Sequence, residues 1–301
     1  MAQRHDHMQA MAAAPPKPWP TGTAERIEPL VRRVLAPNPS PFTYTGTQTY
    51  IVGAGQGCAV IDPGPNDPAH LEALMGAIGD EPVVAIMCTH THRDHSPASR
   101  PLAQRTGAPI VGCAPLAFDT AGPRADEGFD PDYEADRVLA DGEAMTGPGW
   151  TLRAIATPGH VSNHLCFALE ESGALFSGDH VMGWSTSVVV PPDGNMGDYM
   201  RSLEVLYGRE EDRIYYPAHG PAVEKPRQLV RGMIGHRKQR ENQILRLLGE
   251  KPATVEELVP QMYKGLDPRL VKAAGLSVLS HLIDLEQRGL VGRSNEQWQK
   301  N

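Results

Sequence analysis

Thr89-His90-Thr91-His92-Arg93-Asp94-His95 is the stretch that decides how this chain is read. It sets three imidazoles and a carboxylate side by side, directly after the apolar run Val83-Val84-Ala85-Ile86-Met87-Cys88, which predicts a buried strand. A strand that ends in a ligand-rich loop is a natural metal cradle, because the sheet fixes the backbone while the loop aims the side chains. His90 and His92, at alternate positions, can converge on one ion, and Asp94 and His95 can turn towards a second. Imidazole and carboxylate suit zinc and other first-row divalent ions. A lone histidine is usually a packed or solvated side chain, but an HxHxDH spacing behind a strand reads as a metal site.

The same arrangement recurs along the chain. His160 follows Thr157-Pro158-Gly159 and the strand-like Thr151 to Ala156, Asp179 ends Leu175-Phe176-Ser177-Gly178-Asp179, and His219 closes Ile214-Tyr215-Tyr216-Pro217-Ala218. Each lies beside Gly or Pro at the end of an apolar run, so one edge of a sheet sandwich is expected to collect them all.

With these pieces the chain resembles the metallo-beta-lactamase superfamily. The matching segments are Thr89 to His95, Pro158-Gly159-His160, Ser177-Gly178-Asp179 and Pro217-Ala218-His219-Gly220, with Ala59-Val60-Ile61-Asp62-Pro63-Gly64 ahead of them. The resemblance implies an α/β fold, a four-layer αββα sandwich over residues 25–225 with a two-metal site at one sheet edge. It assigns His90, His92 and His160 to the first metal, Asp94, His95 and His219 to the second, and Asp179 as their bridge. The ions are expected to be two zincs, with iron or manganese also fitting. No Cys stands among these positions, unlike the second-metal ligands of class B1 and B2 lactamases. Two such dications would give hydroxide from a shared water near neutral pH and polarise a carbonyl or phosphoryl oxygen. Asp94 is then the group to orient the nucleophile. His164 is a candidate to protonate a leaving group, or else a structural histidine. Asp62 either orients the ligand loop or is a plain turn residue.

Composition bounds the remainder. The chain has 301 residues, 40% of them hydrophobic, and a formal net charge of −8, so no long-range field draws nucleic acid. No segment has the apolar length of a membrane span. Residues 1–24, with His5, Asp6 and His7 breaking any apolar run, are expected to be a disordered tail. Cys58, Cys88, Cys113 and Cys166 form no close pair and read as reduced, buried thiols of a cytoplasmic protein.

Residues 226–301 read as a linker helix and a winged-helix-like domain. Pro226 to Leu248 carries Arg227, Arg231, Arg237, Lys238, Arg240 and Arg246 against Glu241 alone, with apolar residues at helical spacing. Thr254-Val255-Glu256-Glu257 is a capping box, Asp267-Pro268 opens a further helix, and Leu290 to Arg293 reads as a short strand. From residue 250 onward, seven Lys or Arg balance seven Asp or Glu, which disfavours groove binding of DNA. The combination is similar to the beta-lactamase-like protein 2 family, on Gly159-His160-Val161-Ser162-Asn163-His164, Gly183-Trp184-Ser185-Thr186 and Ile234-Gly235-His236-Arg237. That likeness implies a metal-dependent hydrolase acting on single-stranded RNA. The alternative is a small-molecule ester, thioester, lactone or lactam hydrolase, with residues from Cys113 to Pro148 walling its pocket. A homodimer through the C-terminal domain is a further expectation, as is Trp184 stacking on a base or walling an acyl group.

Overall fold

The computed structural model describes residues 15–116 and 128–301. One sheet holds β1 (Ala24–Glu28), β2 (Val31–Leu35), β3 (Gln48–Val52), β4 (Cys58–Ile61), β5 (Val83–Cys88), β6 (Ile110–Gly112) and β7 (Arg137–Val138), neighbours in that order. The first four strands pair antiparallel and β4 to β7 pair parallel. Parallel neighbours need crossovers, and helices α1 (Pro68–Ile78) and α2 (Ser99–Thr106) supply the two on either side of β5. The other sheet runs β12 (Ile214–Pro217), β11 (Ala174–Gly178), β10 (Leu165–Leu169), β9 (Trp150–Ala156), β8 (Ala144–Gly147). Its one parallel pair, β11 and β12, is joined through α3 (Met196–Gly208).

Side-chain alternation sorts the strands into layers. Tyr50 and Val52 of β3 meet Leu152, Ala154, Phe167 and Phe176 in the core between the sheets. Ile51, with Val60 and Ile86, turns the other way onto Leu71, Leu74 and Leu102 of α1 and α2. On the far side of the second sheet, Ile155, Cys166 and Tyr215 pack on Tyr199, Leu203 and Leu206 of α3. The result is the expected αββα order of layers. All four cysteines are free and buried.

Helix α4 (Pro226–Glu250) belongs to two cores at once. Val230 and Met233 join the outer layer of the second sheet, while Ile244 and Leu248 enter the C-terminal core. That core is closed by α5 (Val255–Met262), α6 (Val271–Gln287) and the hairpin β13 (Val291–Ser294) and β14 (Gln297–Lys300). The capping box at Thr254 and Glu257 is formed in both directions. Two details differ from expectation. Pro268–Leu270 is a 3-10 turn, closed by the Leu270 amide on the Asp267 carbonyl, and the α-helix starts only at Val271. The strand near Leu290 also gains a partner, β14, anchored by the buried Trp298. Of the expected tail, residues 1–14 lie outside the described residues. Thr21 bridges Leu35, and β1 begins at Ala24. No described helix is long and apolar enough to cross a membrane.

Candidate metal centre

Four loops deliver the site residues, each from the end of a strand. The loop after β5 carries His90, His92, Asp94 and His95; those after β9, β11 and β12 carry His160, Asp179 and His219. All seven are buried. They fall into two groups whose ligand atoms lie within 4.8 Å of one another: His90, His92, His160 and Asp179, and Asp94, His95 and His219. The sequence-predicted set is therefore brought together in full.

In the first group, His92 Nδ1 lies 2.9 Å from His90 Nε2 and 3.2 Å from His160 Nε2. Burial holds the His90 pKa well below its ordinary value and brings that of His160 to about 4, helped by neighbouring imidazoles. His90 and His160 are thus neutral at neutral pH, and each turns Nε2 towards His92 Nδ1. In the second group, Asp94 Oδ2 is 3.3 Å from His95 Nε2 and 3.1 Å from His219 Nε2. Burial opposes charge on His219, but Asp179 and Asp94 outweigh it and raise its pKa to about 10; His95 is likewise held cationic. Asp179 straddles the groups: Oδ1 is 3.2 Å from His219, and Oδ2 is 3.6 Å from His160.

This donor set fits divalent ions. His92 Nδ1 can share one proton with only one of His90 Nε2 and His160 Nε2, whereas a cation would take all three nitrogens at once. Asp94 Oδ1 is buried and takes no hydrogen bond, which is costly for a carboxylate oxygen unless a ligand completes it.

A second row of groups fixes the ring orientations. His160 Nδ1 donates to the Val188 carbonyl at 2.5 Å, and His219 Nδ1 to the Gly46 carbonyl at 3.2 Å. His95 Nδ1 lies 3.0 Å from Asp62 Oδ2. Because a carbonyl only accepts, Nδ1 of both His160 and His219 carries a proton, which leaves Nε2 as the inward nitrogen of each ring: a lone pair on neutral His160, and on His219 the proton that a metal would displace. Asp62 also accepts from the Thr89 amide and hydroxyl, each at 2.8 Å. It orients the ligand loop rather than serving only as a turn residue. Its φ of 48° is a conformation that Asp tolerates.

Of the two roles open to His164, proton donor and structural histidine, its contacts favour the second. Its Nδ1 sits 2.8 Å from Thr157 Oγ1, and its Nε2 accepts the Asp179 amide at 3.2 Å. With both nitrogens engaged and burial holding its pKa well below the usual range, it positions the Asp179 backbone. Gly178 makes that contact possible: at φ 49°, a Cβ there would lie 2.6 Å from His164 Nε2. His180 packs on Tyr199, and His70 contacts Thr49 Oγ1 at 3.0 Å.

Backbone carbonyls and one buried arginine escaped the sequence reading. Arg237 of α4 donates to the Ser187 carbonyl at 2.6 Å and lies over the Tyr199 ring. Ser187 Oγ donates in turn to the carbonyls of Asp179 and His180. A helix that sequence reads as a basic linker thus braces the loop that holds His160 and Asp179. Over the ligands opens a cleft lined by Phe42, Met182, Trp184, Ser185, Thr186 and Val188. Trp184 is stacked on Tyr44, with ring centroids 4.6 Å apart. The expected wall from Cys113 to Pro148 includes residues 117–127, which lie outside the described residues.

Known proteins resemble this chain in sequence and fold. The family model described as Metallo-beta-lactamase superfamily matches residues 43–219, and that described as Beta-lactamase associated winged helix domain matches residues 254–298. The Beta-lactamase-like protein 2 homolog of Drosophila melanogaster is 32% identical over 271 residues, covering 88% of this chain and 90% of that one. The Atrochrysone carboxyl ACP thioesterase of Aspergillus terreus is 30% identical over 283 residues, covering 89% and 79%. Among solved structures, a metallo-beta-lactamase family protein from Thermus thermophilus is similar with a TM-score of 0.74 at 25% identity, covering 92% of this chain and 100% of that one.

Proposed function

The chain belongs to the metallo-beta-lactamase superfamily, and on that premise we propose that it hydrolyses an acyl bond, a thioester in the first place, at a two-metal centre. The observation that carries the choice of bond is the lining of the cleft. Its residues include no Lys or Arg among the described ones, and Phe42, Met182, Trp184 and Val188 make it largely apolar. A phosphodiester brings charge into the cleft and leaves more of it in the transition state, so its sites recruit cationic side chains. An acyl bond makes no such demand. Four of the six cations of the basic helix, the main motive for an RNA substrate, are already engaged. Arg237 is buried, Arg227 and Lys238 pair with Glu210 and Glu204, and Arg240 lies over Tyr263. The likeness to a thioesterase supports the same choice among acyl bonds.

His90, His92 and His160 hold one ion in this reading, Asp94, His95 and His219 the other, with Asp179 between them. The nitrogen-rich donor set suits zinc, and iron or manganese also fit. Bound there, divalent ions supply a water of lowered pKa and polarise the substrate carbonyl. Asp94 Oδ1, buried and without a hydrogen bond, accepts the proton of the attacking water. Phe42 and Trp184 exclude bulk water from the scissile carbonyl.

Zinc-loaded protein and its Asp94→Ala variant, assayed on acyl thioesters and on labelled single-stranded RNA, test this. Thioester turnover that vanishes in the variant is expected. RNA cleavage without thioester turnover would overturn the reading.

A further inference from the structure

Beside the metal cleft lies a second cavity, of ≈ 420 Å³, between residues 182–186 and helix α4. Such a volume falls in the range of small-ligand sites. The two spaces are continuous in their walls, for Met182, Trp184, Ser185 and Thr186 line both. The outer wall is the capping residue Lys225 and one stripe of α4, Gln228, Leu229, Gly232, Met233 and His236, which share a helix face by their spacing of three and four. Its middle is apolar and its two ends are polar. Ala222 and Val223 close the floor. Gly232 leaves a gap in the stripe, since a Cβ built there meets no heavy atom within 4 Å.

We propose that this cavity takes the acyl group of the substrate, and that the group is bulky and largely apolar. The inference rests on the thioester reading and names its substrate class. With the carbonyl at the metal ligands, an acyl chain that runs along Trp184, Ser185 and Thr186, the wall common to both spaces, enters this cavity. The indole cannot easily swing aside, being stacked on Tyr44 and pressed against Gly220, where a Cβ would come within 2.5 Å of it. An apolar wall of Met, Leu, Val and Ala rewards carbon surface and penalises unpaired amides. The amide-rich thiol half of a biological thioester therefore fits less well here than its acyl half. Lys225, Gln228 and His236 at the ends of the stripe accommodate oxygen substituents on an aromatic or long acyl group.

The cavity can be filled without touching a metal ligand. Gly232→Leu projects a side chain into open space from a helix that prefers Leu to Gly, and Gly232→Ala adds one methyl as a milder step. Full-length zinc-loaded proteins are compared on acetyl and naphthoyl thioesters of N-acetylcysteamine, and naphthoate binding is followed by fluorescence titration. The expected result is a KM for the naphthoyl thioester raised about tenfold in Gly232→Leu, as for about two methylenes denied burial. Gly232→Ala should lie between, acetyl turnover should not change, and naphthoate should bind more weakly by a similar factor. Equal losses on both thioesters, or no change on either, would overturn the proposal. If the wild type hydrolyses neither thioester, the thioester reading fails, and naphthoate decides for the cavity. Weaker binding to Gly232→Leu would uphold it as an acyl-sized site, whereas equal binding would remove it.

Discussion

Replacing Asp62 by Asn alters one atom and tests how the second ligand group is built. The carboxylate takes the Thr89 amide on Oδ1 and both the Thr89 hydroxyl and His95 Nδ1 on Oδ2. An amide in that place offers one acceptor and one donor. If its NH₂ faces the Thr89 amide, two donors that cannot rotate away are opposed inside the protein. If it faces His95, the conflict is relieved when the imidazole moves its proton from Nδ1 to Nε2. The second arrangement wins, because a tautomer shift costs less than a buried unpaired amide, about 1–3 kcal/mol. The consequence is specific: on metal loading, where His95 has to give up its Nε2 proton, the variant would keep that hydrogen and offer the ion no lone pair. Loss of such outer support typically costs about 10–100-fold in metal affinity, or about 1.4–2.8 kcal/mol. The assay is competition with a chromophoric chelator, alongside ¹⁵N spectra of the imidazoles in the zinc-loaded protein. Asp62→Asn should keep the fold, weaken one of two binding steps, and show His95 protonated at Nε2. Two unaltered binding steps with His95 still protonated at Nδ1 would refute the reasoning.

Arg237→Ala removes a charge-assisted hydrogen bond to the Ser187 carbonyl, worth about 1.5–3 kcal/mol. It should lower both Tm and zinc affinity, with Arg237→Lys restoring only part; wild-type affinity in the Ala variant would mean the loop stands unaided. Gly159→Ala would bring a Cβ within 2.3 Å of Tyr199 Cα at φ 136°. It should destabilise by about 2–3 kcal/mol and displace His160, which calorimetry and zinc competition would register. The metal-stripped protein should be most stable near pH 6.5. Burial keeps His180 and His281 neutral down to about 3, so below their unfolded pKa of about 6.5 only the unfolded chain gains those protons, and stability falls. His219 stays protonated in the fold up to about 10, so its stabilisation is complete below about pH 6.5 and is lost as pH rises through that window. Zinc displaces that proton, and the alkaline loss should vanish in the loaded protein; a Tm that rises steadily from pH 5 to 9 without metal would contradict this.

The residues of the candidate metal centre were legible because each is a chemically distinctive side chain set at the end of an apolar run, where strand geometry leaves it no other place. The αββα layers followed from the same runs, and the C-terminal helix α5 from the Thr254 capping box. What stayed hidden has no side-chain signature. The carbonyls of Val188 and Gly46 that orient His160 and His219 could be those of any residue. Arg237 reads as one more cation in a basic helix until α3 and residue 187 close over it. Strand β14 is polar apart from Trp298 and lacks the Asn-Gly type of turn that announces a hairpin. His164 was open to two readings, proton donor or structural histidine, and only its two occupied nitrogens favour a support for Asp179.

Helix α4 places Met233 in the outer layer of the second sheet and Ile244 in the C-terminal core, so the border between the two halves crosses a continuous rod rather than a loop. Neither half can melt without stripping a face from the other, and heating should give one calorimetric transition whose van't Hoff and measured enthalpies agree. The same rod makes the halves poor cassettes. A chimera joined ahead of Pro226 would exchange the wall beside the metal cleft along with the winged helix. A junction placed beyond Glu250 would leave that wall, and the brace at Arg237, with the catalytic half.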